Sequence, residues 1–280
     1  MKAFENVQGT AFVVAAYRAE ENNAPSPLYR DDIVEFFLND ATRRAADEAF
    51  AASPEAKVGV KLRTRYMDDQ LDERISRGCR QVVILGAGLD TRAVRKRREG
   101  LAFFEIDDKA TLDFKEKTYG RHGIKAALAL IPANYAKEDW ITLLIEQGFD
   151  PDLRTHVIWE GNSMYLPIGA VRQTAAAIRG RIPDATLSFD YFATKIVDNL
   201  TGDPKITALT DYFAQAGAPW VTGIDDIKAF ADQQGMQLVE TCLVSNLHRR
   251  YWPSRIMNVN LLNYYFVCTL ATKLASSHYR

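Results

Sequence analysis

The chain has 280 residues, 47% of them apolar and 25% charged, which suits one large α/β domain with an extension, or two small domains, around a core of ordinary size. Lys and Arg number 35 against 36 Asp and Glu, so bulk charge gives no footing for a nucleic-acid partner. No apolar run approaches the ~18 residues of a transmembrane helix, and residues 1–6 lack the charged head and apolar stretch of a secretory signal, so a cytoplasmic protein without membrane attachment is expected.

The first 78 residues read as a helical cap. Segment 11–19 is short and alanine-rich, and Asp31-Asp32 open a helix through Phe36, Phe37 and Leu38 with acids at its favourable end. Asn39 or Asp40 caps a helix over 41–52. Ser53-Pro54-Glu55 starts a further helix that carries Arg63-Thr64-Arg65 and Asp68-Asp69 and stops at Gly78.

From residue 79 the pattern alternates. Strands are expected at 81–86, 101–106, 125–132, 155–161, 185–192, 237–244 and 263–271. Helices are expected at 90–98, 108–120, 138–147, 168–180 and 224–234. The basic cluster from Arg92 to Arg98 reads as the solvated face of the first of these. Alternation of this kind implies a mostly parallel sheet of about seven strands, Rossmann-like, with helices on both faces. The last two strands, joined by a non-helical segment over 245–262, imply an antiparallel end. Residues 193–222 are too long for a simple connection and are broken by Thr201-Gly202-Asp203-Pro204, which points to a helical lid inserted over a pocket. The organisation expected is a cap over 1–78 and a nucleotide-type domain over 79–280 with that insertion. Cys79, Cys242 and Cys268 are odd in number and far apart, as buried thiols in a reducing compartment would be. The four histidines show no ligand spacing, so no metal site is expected.

The strand 82–85 runs into Gly86-Ala87-Gly88, and the next strand ends in acids, Glu105, Asp107 and Asp108. Glycines let a ligand approach the backbone, and a carboxylate after the second strand can accept from ribose hydroxyls. A dinucleotide turn would carry a third glycine where Asp90-Thr91 stand. An acid there repels pyrophosphate and suits a ligand that brings an ammonium group, as S-adenosylmethionine does. Tyr191-x-x-x-Lys195 matches the Tyr/Lys pair of short-chain dehydrogenases, but Tyr191 is expected at a strand end and the glycine turn comes some 80 residues too late.

Four motifs in order, Arg63-Thr64-Arg65-x-x-Asp68-Asp69, Gly86-Ala87-Gly88-Leu89-Asp90-Thr91-Arg92, Phe104-Glu105-Ile106-Asp107 and Trp159-Glu160-Gly161-Asn162-Ser163-Met164-Tyr165-Leu166, make the chain resemble the leucine carboxyl methyltransferase family over about residues 10–270. The resemblance implies a class I methyltransferase fold, S-adenosyl-L-methionine as cofactor and a small-molecule acceptor, most readily a carboxylate, in the manner of the polyketide-tailoring enzymes of secondary metabolism. It implies that Gly86, Ala87 and Gly88 line the amino-acid end of the cofactor, that Asp107 holds the ribose and that Glu160 faces the amino group or sulfonium. Either Arg63 or Arg65 would pair with the cofactor carboxylate, with Arg18 a weaker match. Asn134 and Tyr135 stand where the family commonly has Asp-Leu beside the adenine. No catalytic residue is compelled, because a carboxylate acceptor is already ionised; a phenol or alcohol would need a base, for which His248 and Tyr191 are the candidates. Tyr191, Trp220, Arg249 and Tyr251 are candidates for acceptor contact; apart from the resemblance, Arg63 and Arg65 read as surface charges paired with Asp68 and Asp69, and His248 as a surface loop residue. Other readings left open are carboxyl methylation of a protein C-terminus, an NAD(P)-dependent dehydrogenase, a non-catalytic nucleotide-binding module, and assembly as a homodimer.

Overall fold

In a continuous apolar run successive side chains point to opposite faces, so a strand can bury both faces at once, and that is how the core is divided here. The computed structural model, which describes residues 7–51, 53–253 and 259–272, contains one seven-stranded sheet. Its strands are β1 (Gln81–Leu85), β2 (Ala102–Asp107), β3 (Leu128–Pro132), β4 (Thr155–Trp159), β5 (Ala185–Phe192), β6 (Gln237–Leu243) and β7 (Tyr265–Ala271). They lie in the order β3-β2-β1-β4-β5-β7-β6. β1 to β5 are parallel, and β7 runs antiparallel to both β5 and β6. Every strand expected from the sequence is present, with β3 starting later, at Leu128.

The helices among the described residues are α1 (Val7–Glu20), α2 (Asp40–Ala49), α3 (Lys57–Ser76), α4 (Arg92–Arg95), α5 (Lys109–Arg121), α6 (Trp140–Glu146), α7 (Ile168–Arg181), α8 (Thr194–Val197), α9 (Pro204–Gln215), α10 (Ile227–Gln233) and α11 (Val244–Tyr251). Asn39 caps α2 in a reciprocal box: its Oδ1 accepts from the Thr42 amide at 3.0 Å, and the Thr42 hydroxyl accepts from the Asn39 amide at 2.9 Å. Asp108, Asp139, Asp203 and Asp226 cap α5, α6, α9 and α10. Asp31 caps a 3₁₀ helix, Asp32–Phe37, rather than an α-helix.

Val82 and Ile84 of β1 point into a core built with α1, α2, α3, α9 and α11. Val83 and Leu85 point the other way, into a core built with α6, α7 and α10. Each fully buried Leu, Ile or Phe there contributes roughly 1.5–3 kcal/mol.

Three expectations are corrected. The helix expected over 90–98 is the single turn α4, because the chain from Thr91 serves a network of buried charges rather than an amphipathic face. The segment 245–262 is not free of helix: α11 follows β6 directly, with Val244, Leu247 and His248 buried at helical spacing. It starts at Leu243 without a side-chain cap, so the usual sequence mark is absent. The Arg92–Arg98 cluster is not a solvated face throughout, since Arg92 is 1% exposed and the Arg95 side chain 9%. Residues 254–258 lie outside those described.

Candidate functional site

In an open parallel sheet, ligands bind beyond the carboxyl ends of the strands where the strand order reverses, here between β1 and β4. A cavity of about 510 Å³ lies there. Its floor is the turn after β1, its sides the residues after β2, β3 and β4, and its roof α1 with Arg63 of α3.

Gly86 (φ +60°) and Gly88 (φ +49°) adopt left-handed backbone. A Cβ on Gly86 would lie 2.3 Å from Asn162 Oδ1, and one on Gly88 would lie 3.2 Å from the Ala11 methyl. Asn162 is itself fixed. Its Nδ2 donates to the carbonyls of Glu160 at 2.7 Å and Gly86 at 3.3 Å, and its Oδ1 accepts from the Tyr135 hydroxyl at 3.2 Å. Tyr135 in turn accepts from Trp159 Nε1 at 3.1 Å. The sequence reading assigned Asn162 no role; its mark was its place two residues after Glu160, in the same post-strand turn.

Asp107 ends β2 beside this turn. Its Oδ2 accepts from the Gly88 amide at 2.6 Å and its Oδ1 from the Asp108 amide at 2.7 Å. Burial pushes its carboxyl up to about 6, against the pull of those two amides. Asn134 borders the cavity, with its side-chain oxygen accepting from the Ala136 amide at 3.1 Å.

A band of buried charge closes the side toward the helical cap. Arg18 pairs with Asp31, and Arg95 with Asp31 at 3.6 Å and Asp68 at 2.7 Å. Arg92 pairs with Asp68 at 2.7 Å, with Asp90, and with Glu160 at 2.8 Å. Arg63 pairs with Glu160 and Asp190, each at 3.1 Å. Glu160, its side chain 11% exposed, is therefore doubly paired. Burial works against its charge, but Arg92 and Arg63 hold its carboxyl below the ordinary range. Burial outweighs Arg63 at Asp190 and raises its carboxyl. Arg63 Nη1 also donates to the Tyr265 hydroxyl at 2.8 Å. Its Nη2 makes no hydrogen bond among the described residues and lies 2.6 Å from where a Cβ on Gly161 would stand. Arg18 borders the cavity, with Nη1 donating to the Leu89 carbonyl at 3.0 Å and Nη2 to Thr91 Oγ1 at 2.7 Å.

A second, smaller chamber of about 70 Å³ adjoins the first. Thr10, Val14, Arg63, Gly161 and Tyr165 line both. The other walls are apolar and largely aromatic, with Trp220 among them.

Of the residues singled out in the sequence, Arg63, Gly86, Ala87, Gly88, Asp107, Asn134, Tyr135 and Glu160 meet at the larger cavity. Arg65 does not. It pairs with Asp69 at 2.8 Å and lies 5.2 Å over the Tyr251 ring, whose hydroxyl donates to Asp69 at 2.7 Å. Tyr251 is thereby held away from both chambers. Tyr191 is a core residue, 3% exposed, stacked on Phe266 at 5.2 Å with its hydroxyl 3.2 Å from Thr241 Oγ1. His248 is buried on α11 against Trp252 rather than exposed in a loop, and Arg249 is exposed on the same helix. None of these lines either chamber. Among the described residues no group of His, Cys, Asp and Glu could hold a metal, and no helix is long and apolar enough to cross a membrane.

The family model described as leucine carboxyl methyltransferase matches residues 11–179. A Mycolicibacterium paratuberculosis protein named "Putative S-adenosyl-L-methionine-dependent methyltransferase" is 36% identical over 181 residues, covering 59% of this chain and 58% of that one. The match thus spans less than two thirds of that relative's length. A DUF574 family protein of Streptomyces avermitilis superposes with a TM-score of 0.66 at 11% identity, covering 92% of this chain and 96% of the other. A Thermobifida fusca protein described as a "putative methyltransferase" gives 0.65 at 16% identity, covering 94% of each chain. At such identities the likeness establishes the fold, which is that of the class I methyltransferases.

Proposed function

The chain belongs to the leucine carboxyl methyltransferase family, and we propose that it is an S-adenosyl-L-methionine-dependent O-methyltransferase that esterifies the carboxylate of a small molecule. The observation that carries this reading is the glycine-floored cavity at the sheet's switch point with Asp107 at its edge. The cavity fits the cofactor. Its volume lies within the roughly 300–1,000 Å³ of small-molecule sites. The glycine turn lines the cavity floor, with Asn162 packed against Gly86 where any side chain would collide. Each Asp107 oxygen has accepted one amide and keeps a lone pair for a ribose hydroxyl. Asp90 and Glu160 beside the turn oppose a pyrophosphate, which speaks against a nicotinamide dinucleotide.

When bound, S-adenosylmethionine supplies a methyl group on a sulfonium, open to in-line displacement by an oxygen nucleophile. The chain's own residues bind and orient. Gly86, Ala87 and Gly88 support the amino-acid end, and Glu160 places negative charge near its ammonium. Arg63 rather than Arg65 takes its carboxylate, through the donor Nη2. Asn134 and Tyr135 border the adenine. A carboxylate acceptor needs no general base, and that accords with the site: His248 and Tyr191 lie outside both chambers, and Glu160 is held too acidic to serve as one.

Calorimetry with S-adenosylmethionine, S-adenosylhomocysteine and NAD tests this reading. The first two bind and NAD does not. Because ribose hydroxyls favour the ionised Asp107, affinity holds above about pH 6 and falls as pH drops below it, where Asp107 takes up its proton. Binding of NAD with neither adenosyl ligand contradicts the proposal.

A further inference from the structure

The second chamber differs from the first in every property that selects a ligand. Phe50 after α2, Phe192 at the end of β5, Phe213 on α9 and Trp220 form a continuous aromatic wall. Ring centroids are 4.4 Å apart for Phe192–Trp220, 5.2 Å for Phe213–Trp220 and 5.8 Å for Phe50–Phe213. Among the described residues Arg63 supplies the one formal charge on the lining, and it stands at the junction with the larger cavity. Gly161 (φ +71°) makes room for the guanidinium at that junction, since a Cβ there would stand 2.6 Å from Arg63 Nη2.

These features define an amphipathic ligand: an apolar body in the chamber and an anionic end at Arg63, whose Nη2 carries two N–H donors, one for the cofactor carboxylate and one for the acceptor's. Size narrows the body. The chamber is about 70 Å³, less than half the roughly 150 Å³ of an apolar cavity that takes up benzene. A short aliphatic group fits and a ring does not. Among the described residues no carboxylate lines the chamber to receive a primary ammonium, which disfavours amino acids. We propose that this chamber is the acceptor site and that it selects a compact aliphatic acid, with Phe213 and Trp220 as the residues that set the upper size limit. The inference rests on the carboxyl-methylation reading and adds the acceptor class to it.

The test titrates two acids, 3-methylbutanoate and 3-phenylpropanoate, into the protein alone and into the protein saturated with S-adenosylhomocysteine. The aliphatic acid binds more tightly, by about tenfold or more, and is esterified with the higher kcat/KM when S-adenosylmethionine is supplied. Phe213→Ala enlarges the chamber and reverses the order in favour of the phenyl acid, with S-adenosylhomocysteine affinity unchanged. Leu209→Phe, which fills the chamber from α9, abolishes binding of both acids and leaves that affinity intact. Equal or tighter binding of the phenyl acid to the unaltered protein overturns the inference, as does absence of binding by both acids. If S-adenosylhomocysteine binds in those cases, the methyltransferase reading stands and only the acceptor assignment falls. If S-adenosylhomocysteine fails to bind, the methyltransferase reading falls instead, and the acids titrated into the protein alone still decide the chamber's selectivity.

Discussion

The two chambers that share Arg63 are built from opposite chemistry, and they were legible in the sequence to opposite degrees. The larger is walled by backbone turns and buried charge, the smaller by aromatic rings. The first is assembled from turns that follow consecutive strands, so its residues appear in the sequence as short motifs: Gly86-Ala87-Gly88, Asp107, Asn134-Tyr135, Glu160. The second is assembled from Phe50, Phe192, Phe213, Trp220 and Tyr265, which come from separate elements and follow no shared spacing. A ring destined for a pocket wall and a ring destined for the core look alike in a sequence. Under the proposed assignment, acceptor specificity would come from tertiary packing and cofactor binding from local turns.

The largest expected effect on this contrast comes from the ionic band that supports the polar chamber. Arg92 joins Asp68 and Asp90 to Glu160 and is nearly inaccessible. Arg92→Met takes a partner from three carboxylates and leaves Asp90 without an ion pair among the described residues, while Asp68 and Glu160 keep Arg95 and Arg63; breaking a buried pair of this kind costs about 3–5 kcal/mol. Urea unfolding should show a loss of that order; a change below about 1 kcal/mol would mean that the band is not structural.

The smallest effect belongs to Tyr191. Its hydroxyl meets only Thr241 Oγ1 among the described residues, at 3.2 Å. Tyr191→Phe should cost about 0.5–1.5 kcal/mol of stability and leave methyl transfer unchanged. A fall in kcat of about tenfold with stability retained would return Tyr191 to the reaction.

The same division explains what the sequence revealed of the fold. Strand identity was legible throughout, because buried parallel strands are apolar runs punctuated by glycine or acid, as Val82–Gly86 and Phe103–Asp107 are. Charge was the poorest guide. Arg92 and Arg95 look solvated in a basic run, yet their partners are Asp31, Asp68, Asp90 and Glu160, brought in by three other segments and the adjoining turn. Arg63 and Arg65 are two residues apart and could not be separated by spacing. Arg65 makes the i,i+4 pair with Asp69, while Arg63 reaches Glu160 and Asp190 across the sheet ends. The short helix α11 was missed because its start carries no cap, and with it the burial of His248.

The most direct test of the division itself is titration of S-adenosylhomocysteine into Gly86→Val and Phe213→Ala side by side. A side chain at position 86 would collide with Asn162 and force a β-branched residue to positive φ, whereas position 213 lines only the aromatic chamber. The account predicts binding lost in Gly86→Val, with its fold retained by circular dichroism, and unchanged in Phe213→Ala. Binding retained in the first and lost in the second would place the cofactor in the aromatic chamber and contradict it.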